Sequence, residues 1–530
     1  MIGPDRVNSI HRGATMPLRR SIFLTVFVSA VLFAAPDEPK KPVPKFKLGK
    51  DTTFVDGPLD KDGYIDYEAA LNERLKGKIT PETNAVVLLL KCLGPKPDGK
   101  DLHADFYKAL GIEPPPAKGD YLVDSDKHFA EELKAEDQPA FHDLETRLKQ
   151  RPWKPEDSLK HAEWLKINEK PLVLAVEASW RTDYFHPIIS RRSDDNRGVM
   201  AEAWLGTFRH REIATLFALR VTNSLSIGNI DDAFANVLNM HRLGRLVSQG
   251  GFLIDDIFGI LFQLYAHSSE LAIFEHGRPT AKQTLAYQSE LMKLPPIHAV
   301  ANKIQFGERL FGLDAIQNCE RFGFDIFNYG TGKNEEQIKE LGKKLEWGVL
   351  LQSTNAWYDK VVLAMRLPTR PARIAATEKL TDELEKSNAI VKDRTSLAAV
   401  LREVEAFEKL PAKVSERVAL VSVGQSVQSF VKLADAADRA EQIHRNGILA
   451  AGLAAHFADH KKYPEKLADL VPKYAATVPE DVFSGKPLIY KKTETGYLLY
   501  SVGVNGTDDG GQLLSEEPRG DDLGVRMPRK

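Results

Sequence analysis

The segment DDAFANVLNMHRLGRLV, Asp231 to Val247, sets Ala233, Val237, Met240, Leu243 and Val247 three or four residues apart. A helix turns once every ~3.6 residues, so this spacing gathers the five apolar side chains on one face. The preceding run IATLFALRVTNSLSIGN, Ile213 to Asn229, reads as a partner helix, with Gly228-Asn229 as the turn between them. This pair predicts a helical hairpin, and the same texture continues on both sides of it.

Further helices are predicted in DDIFGILFQLYAHSSELAIFEHG (Asp255 to Gly277), Thr280 to Leu294, Ile297 to Gly323 and Asn334 to Leu367. The first ten residues of Asp255 to Gly277 are apolar nearly all round, which predicts a buried helix rather than a spanning one. Strand-like alternation is nearly missing from residues 151–433, so this region is expected to be a helical-hairpin domain. Residues 51–150 read as a small region of short helices. The clearest is TPETNAVVLLLKCLGP, where Thr80 is the expected N-cap, Pro81 the first helical residue and Gly94-Pro95 the stop.

The hairpin at Ile213 to Val247 resembles one tetratricopeptide unit: a helix, a Gly-Asn turn, then an Asp-Asp-Ala start. No second copy follows at a period of about 34 residues, which argues for irregular hairpins over a regular solenoid.

At 530 residues, with 43% hydrophobic and 28% charged side chains, the chain has the composition of a soluble, multi-domain globular protein. Its 72 basic and 74 acidic residues leave a net charge of −2, which provides no global field for nucleic acid or a membrane surface. Two distant cysteines, Cys92 and Cys319, exclude a disulfide framework or a zinc knuckle and read as buried helix-face residues.

Arg19 and Arg20 precede the apolar run SIFLTVFVSAVLFAA, Ser21 to Ala35, and a Pro/Lys-rich linker covers residues 36–50. Residues 1–35 therefore read as an export signal. Phe33 is large and Pro36 follows at once, so the segment is expected to act either as a signal peptide or as an uncleaved anchor. The bulk of the chain is then exported, periplasmic or at the cell envelope, and touches the membrane only through residues 21–35.

The C-terminal part changes character. A helix runs into Tyr463-Pro464, and PLIYKKTETGYLLYSVG alternates as two short antiparallel strands around a turn at Glu494 to Gly496. Tyr463 to Gly511 resembles the globular end of the major pseudopilins of type II secretion. Pro479, Asp481, Phe483, Pro487 and Tyr490 match that family's hairpin pattern, and Ser501, Gly503, Gly506, Gly510 and Gly511 match its loop frame. The resemblance implies a pilin-like α+β head over residues 434–515 and a calcium loop in which Asn505, Asp508 and Asp509 are the candidate ligands. Val482 and Asn505 depart from the family's Pro and Asp, and the prepilin motif is missing from the apolar run. Residues 516–530 are expected to be a disordered tail.

DKDGYIDYEAALNE, Asp60 to Glu73, also looks like a calcium loop. With Gly63 at the bend, however, the first ligand and the terminal bidentate acid fall on Pro58 and Ala69. A turn followed by a helix capped by Asp66 is the better reading. Glu177, Trp180, Arg181, Asp183, Tyr184 and His186 form the candidate pocket, where aromatic faces would stack a sugar or peptide and charges would orient it. His210, Arg211 and Glu212 read as isolated, and no catalytic or phosphate-binding motif emerges.

The expected protein is mainly α, an irregular helical-hairpin array with a small pilin-like head. Its expected role is non-catalytic, as a scaffold for protein partners at the envelope. The alternatives are an envelope hydrolase or carbohydrate-binding protein with a cleft between helices, and a component associated with a secretion system.

Overall fold

The computed structural model describes residues 43–530 apart from 98, 100, 131–133, 135–137, 191–199, 201–208, 298, 324–341, 389–410, 514–515, 517–518 and 530. The segment read as an export signal thus lies outside the described residues. The protein is mainly helical, with sixteen α-helices and a small three-stranded antiparallel sheet near the C-terminus among the described residues.

The first region holds α1 (Tyr67–Lys76), α2 (Ala85–Leu93), α3 (Ala104–Leu110), α4 (Ser125–His128), α5 (Gln138–Gln150), α6 (Leu159–Ile167) and α7 (Glu169–Ser179). The middle holds α8 (His210–Ser226), α9 (Ile230–Val247), α10 (Leu253–Ala272), α11 (Ala281–Met292), α12 (Val300–Lys303) and α13 (Arg309–Phe322). Then come α14 (Trp347–Met365), α15 (Arg370–Asn388) and the 50-residue α16 (Pro411–His460). Strands β1 (Ile489–Lys492), β2 (Tyr497–Ser501) and β3 (Leu523–Met527) close the chain.

The hairpin that opens the sequence argument forms as expected. Gly228 takes a φ of 74°, the left-handed turn that favours glycine, and Asn229 Oδ1 accepts from Asp232 N at 3.2 Å to cap α9. Ala233, Val237, Met240, Leu243 and Val247 are all buried in the largest core cluster, together with residues of α2, α7, α8 and α10. Helix α10 is long and apolar enough to cross a membrane by length and composition. Here it is a core helix, packed on α8, α9 and α16, and its inward face carries Asp256, Gln263 and Glu270.

Three helices differ from the sequence reading: the one expected over Asn334 to Leu367 falls partly outside the described residues and is interrupted at Leu345 and Glu346, so that α14 begins at Trp347. Helix α2 starts at Ala85, not after Thr80, because Asn84 is drawn across the fold. Its Nδ2 donates to Phe185 O at 2.9 Å and its Oδ1 accepts from Phe185 N at 3.0 Å and Val86 N at 3.1 Å. The helix expected over Ile297 to Gly323 is broken by a π-turn at Ile304–Glu308. Gly307 lies there against the backbone of Gly251, so close that a Cβ would stand 2.0 Å from Gly251 O. Asp66 caps α1 through Ala69 N at 2.9 Å. Asp60 and Asp62 bind the buried Arg321 guanidinium, so the N-terminal turn is tied to α13 by ion pairs.

Residues Val43–Lys530 form one compact unit. The boundary expected at residues 433/434 falls inside α16, which serves both the body and the head. The lower half of α16 packs with α14 and α15, and its upper half carries the sheet. The sheet order is β1-β2-β3, with Tyr490 opposite Leu499 and Leu499 opposite Val525. The tail expected to be disordered supplies β3 instead. Val525 is fully buried and Met527 nearly so, which makes β2 a central strand buried along its whole length.

A buried polar network locks α16 to the body. Glu270 Oε2 accepts from Tyr287 Oη at 2.6 Å, and Oε1 lies 2.5 Å from His267 Nδ1. His241 Nε2 stands 3.8 Å from Oε2. Gly447 of α16 covers this carboxylate, and a Cβ there would meet Glu270 Oε1 at 2.3 Å. Burial pushes the Glu270 pKa up, but the two histidines outweigh it and hold the group down to about 2. Because that lies below the ordinary 4.5, its contribution to stability is complete above pH 4.5 and fades as pH falls toward 2. Glu270→Ala is expected to lower the unfolding free energy by about 3–5 kcal/mol at pH 7, read by urea denaturation. The gap between wild type and Glu270→Gln should narrow on acidification; a constant gap would deny the network its ionic character.

Candidate functional site

A cavity of about 380 Å³ opens where α4, α5, α6 and α8 meet. Its walls are built from aromatic side chains. Phe129 follows α4 and packs against Phe141 of α5 and Trp164 of α6, with ring centroids 5.0 and 5.5 Å apart. Trp164 is fixed by its indole N–H, which donates to Val123 O at 2.9 Å. Phe258 of α10 lines the cavity beside His210, at a centroid distance of 5.0 Å.

The polar groups come from the start of α8. Arg209 precedes the helix with φ 47° and ψ 37°, a left-handed conformation that costs a non-glycine residue roughly 1–3 kcal/mol. That turn aims its guanidinium back across the cavity. Nη1 donates to Leu122 O at 3.2 Å and Nη2 pairs with Asp124 Oδ2 at 3.1 Å. Glu212, one turn on, lines the same cavity. Its Oε1 accepts from Ser125 Oγ at 3.3 Å, while its buried Oε2 accepts no hydrogen bond among the described residues and is ion-paired with Arg209 Nη1 at 3.9 Å.

Burial pushes the Glu212 carboxyl up to about 7, with the Arg209 charge opposing the rise. His210 is driven down to about 3 by burial and by the nearby His186. Glu145, also in the lining, is neutralised by Lys149 at 2.9 Å. The cavity therefore combines an aromatic wall with the carboxyls of Asp126, Glu145 and Glu212 and the guanidiniums of Arg209 and Arg211.

The six residues expected to form the pocket take separate places. Glu177 and Trp180 face outward, and the Trp180 ring lies under the Arg242 guanidinium at 3.7 Å. Arg181 is half-buried just past α7. Asp183 pairs through its backbone with the entrance of α2, where Ala85 N donates to Asp183 O at 2.8 Å. Tyr184 is buried and its N–H donates to Gln249 Oε1. His186 packs edge-on against Phe106 at 5.1 Å, and burial lowers its pKa to about 4. These contacts are those of a helix end wedged into the core.

In the C-terminal loop the candidate calcium ligands are turned on the loop itself. Asn505 Oδ1 accepts from Thr507 N, and Asp508 Oδ1 accepts from Tyr500 Oη and Gly510 N. Asp509 Oδ2 accepts from Asp521 N and Asn505 Nδ2. The acids Asp521 and Asp522, further along the chain, return to the loop, where Asp521 accepts from Asn505 N and Asp522 from Gly511 N. Among the described residues no three His, Cys, Asp or Glu side chains are arranged to hold a metal ion. The loop as folded is a hydrogen-bonded turn. Cys92 and Cys319 are free and buried in different core clusters.

The cleft escaped sequence reading because its parts are distant in the chain: Ser125 and Glu212 are 87 residues apart. The local triplet His210-Arg211-Glu212 carries no periodic or motif signal that marks it. No family model, no curated protein and no solved structure matches this chain.

Two outcomes are expected here. The raised Glu212 pKa means that the folded protein loses stability as pH rises from 4.5 to about 7. Glu212→Gln removes that cost, so the variant should be more stable than wild type by about 1–3 kcal/mol at pH 8 and no different near pH 4.5, read by thermal denaturation at both. In the head, buried Asp481 accepts from Phe483 N, Ser484 Oγ, Ser501 Oγ and Val502 N at 2.7–3.2 Å. Asp481→Ala should cost about 2–4 kcal/mol and expose the sheet's amide protons to exchange before those of α9.

Proposed function

We propose that this chain is an exported helical protein of the cell envelope that binds a small ligand in the cleft between α4, α5, α6 and α8. The observation that carries this reading is a preformed cavity whose aromatic wall stands beside the Glu212 carboxyl, a group whose pKa burial has raised. A concave, largely aromatic wall with a few polar groups, one of them of shifted pKa, is the usual make-up of a ligand site. The strained backbone at Arg209 supports the same conclusion, since such strain collects at sites of function.

The envelope setting rests on the Arg19-Arg20 and Ser21 to Ala35 signal, and the likeness of Tyr463 to Gly511 to pseudopilins accords with it. The head is built onto α16 through buried amides. Asn446 Nδ2 donates to Leu523 O at 2.9 Å, and Gln442 Oε1 accepts from Val482 N at 2.8 Å. This supports a head that braces the helical body rather than one that joins a filament. Protein partners at the envelope remain part of the proposal through the exposed faces of the array.

A hydrolytic reading draws on one observation. Glu145 and Glu212 line the same cavity, and Glu212 keeps its proton to about pH 7, as a general acid must.

Tryptophan emission of the full chain, titrated with chitotriose, 2-phenylethanol and phenethylammonium in turn, tests the cleft. At least one should give a saturable change that Trp164→Phe abolishes. No saturable change with any of the three would overturn the binding reading.

A further inference from the structure

We propose that the C-terminal end of α16 carries a metal site, in which His456 and His460, one helical turn apart, chelate a late first-row divalent ion such as Zn²⁺ through their ring nitrogens. The site shares no residue with the cleft and stands without it.

Residues four apart on a helix are neighbours on one face, and two histidines in that relation form a recurrent zinc-binding pair. Here the ring centroids stand 4.4 Å apart, a gap that one ion with metal–nitrogen bonds of about 2.0–2.1 Å can span. His460 is exposed in the last turn, and His456 is 9% exposed beside it. Neither ring has a nitrogen that is both sealed from solvent and partnerless.

The surrounding hydrogen bonds leave one lone pair on each ring. Lys461 ends α16 in a left-handed turn with φ 58°, its N–H donating to Phe457 O at 2.8 Å. Just beyond that turn, Lys462 O lies 3.0 Å from His456 Nδ1. A carbonyl can only accept, so Nδ1 carries the proton and Nε2 the lone pair. Tyr474 Oη donates to Asp459 Oδ2 at 2.7 Å, so towards His460 Nε2, 3.1 Å away, it acts as the acceptor. The lone pair of His460 is then on Nδ1. A carbonyl behind one ring and a hydroxyl held by a carboxylate behind the other are the kind of outer bonds that orient metal-binding histidines. Burial, the largest influence on His456, lowers its pKa and keeps the ring neutral at pH 7, as a ligand must be.

The charges around the pair are Lys461, Lys462 and Lys473 against Asp459 and Asp469. Lys473 is paired with Asp459 at 2.8 Å, and the remaining positive charge is offset by the negative, C-terminal end of the helix. A hard cation finds little here, because Mg²⁺ and Ca²⁺ need several oxygens, whereas imidazole nitrogens suit Zn²⁺, Ni²⁺ and Cu²⁺. Among the described residues no third His, Cys, Asp or Glu joins the pair, so water completes the coordination.

Isothermal titration calorimetry of the untagged full chain with ZnCl₂ provides the test. One ion should bind per chain, CuCl₂ should bind more tightly, and MgCl₂ should give no saturable heat. His460→Ala, a change at an exposed position, should weaken Zn²⁺ by about tenfold or more, and so should His456→Gln. Circular dichroism confirms that both variants are folded. Tyr474→Phe, which keeps the ring and removes only the hydroxyl, should weaken Zn²⁺ as well. Electron paramagnetic resonance of the Cu²⁺-loaded chain should show two imidazole nitrogens, and one fewer in His460→Ala. No Zn²⁺ heat, equal heat from Mg²⁺, or a Zn²⁺ affinity unchanged in His460→Ala overturns the site, the last because the ion is then held elsewhere.

Discussion

Everything in the body depends on a carboxylate that has been taken out of water. Glu270 projects from α10 into the junction of α9, α11 and α16, where Tyr287, His267 and His241 surround it. A buried charge of this kind is stable only if every neighbour is in place. Three helices must therefore meet at one geometry, and α16 must approach closely enough that only glycine fits at position 447. Apolar packing alone would tolerate several arrangements of helices with similar stripes. The buried ion and its partners favour one of them.

Once α16 is docked, its length organises the rest. The lower half completes the core with α14 and α15, where Arg370 and Arg373 pair with Asp435 and Asp438. The upper half forms the floor on which the head is assembled. Buried amides at Gln442 and Asn446 replace the backbone partners that a freestanding sheet would need. The C-terminal strand is clamped at its end by Arg529, which pairs with Glu275 at 2.7 Å and donates to Gln150 O. Head and body thus share one helix and a set of side-chain bonds, which explains why Val43–Lys530 behaves as a single unit.

The cleft lies on the other flank of α8 and α10, in the first half of the chain. It is held open by rigid parts: the Trp164 indole bond to Val123 and the Arg209 bridge to Leu122 and Asp124. Arg209 also faces Glu212 at 3.9 Å, where its charge opposes the rise that burial imposes on the carboxyl pKa. Burying this carboxyl costs stability once it is charged.

Much of the fold was legible in the residues. The period of Ala233, Val237, Met240, Leu243 and Val247, the turn at Gly228-Asn229, the cap at Asp66 and the alternation in β1 and β2 all act through neighbours within a few positions, so local sequence determined them. The expectation of an export signal is likewise drawn from a local pattern, residues 19–35 alone. What tertiary structure decided is everything that joins distant positions. Asn84 shortened α2 because Phe185 offered it partners, and Leu523–Met527 became a strand because β2 and α16 left an apolar edge to cover. The expected pocket around Trp180 dispersed because its members sit on different sides of a helix end. Glu212 gained its unusual environment from Ser125, Arg209 and four aromatic rings brought together only by packing. A side chain's charge and shape are written in the sequence, but its solvation is set by whichever groups the fold places around it, and solvation gives Glu212 and Glu270 their properties.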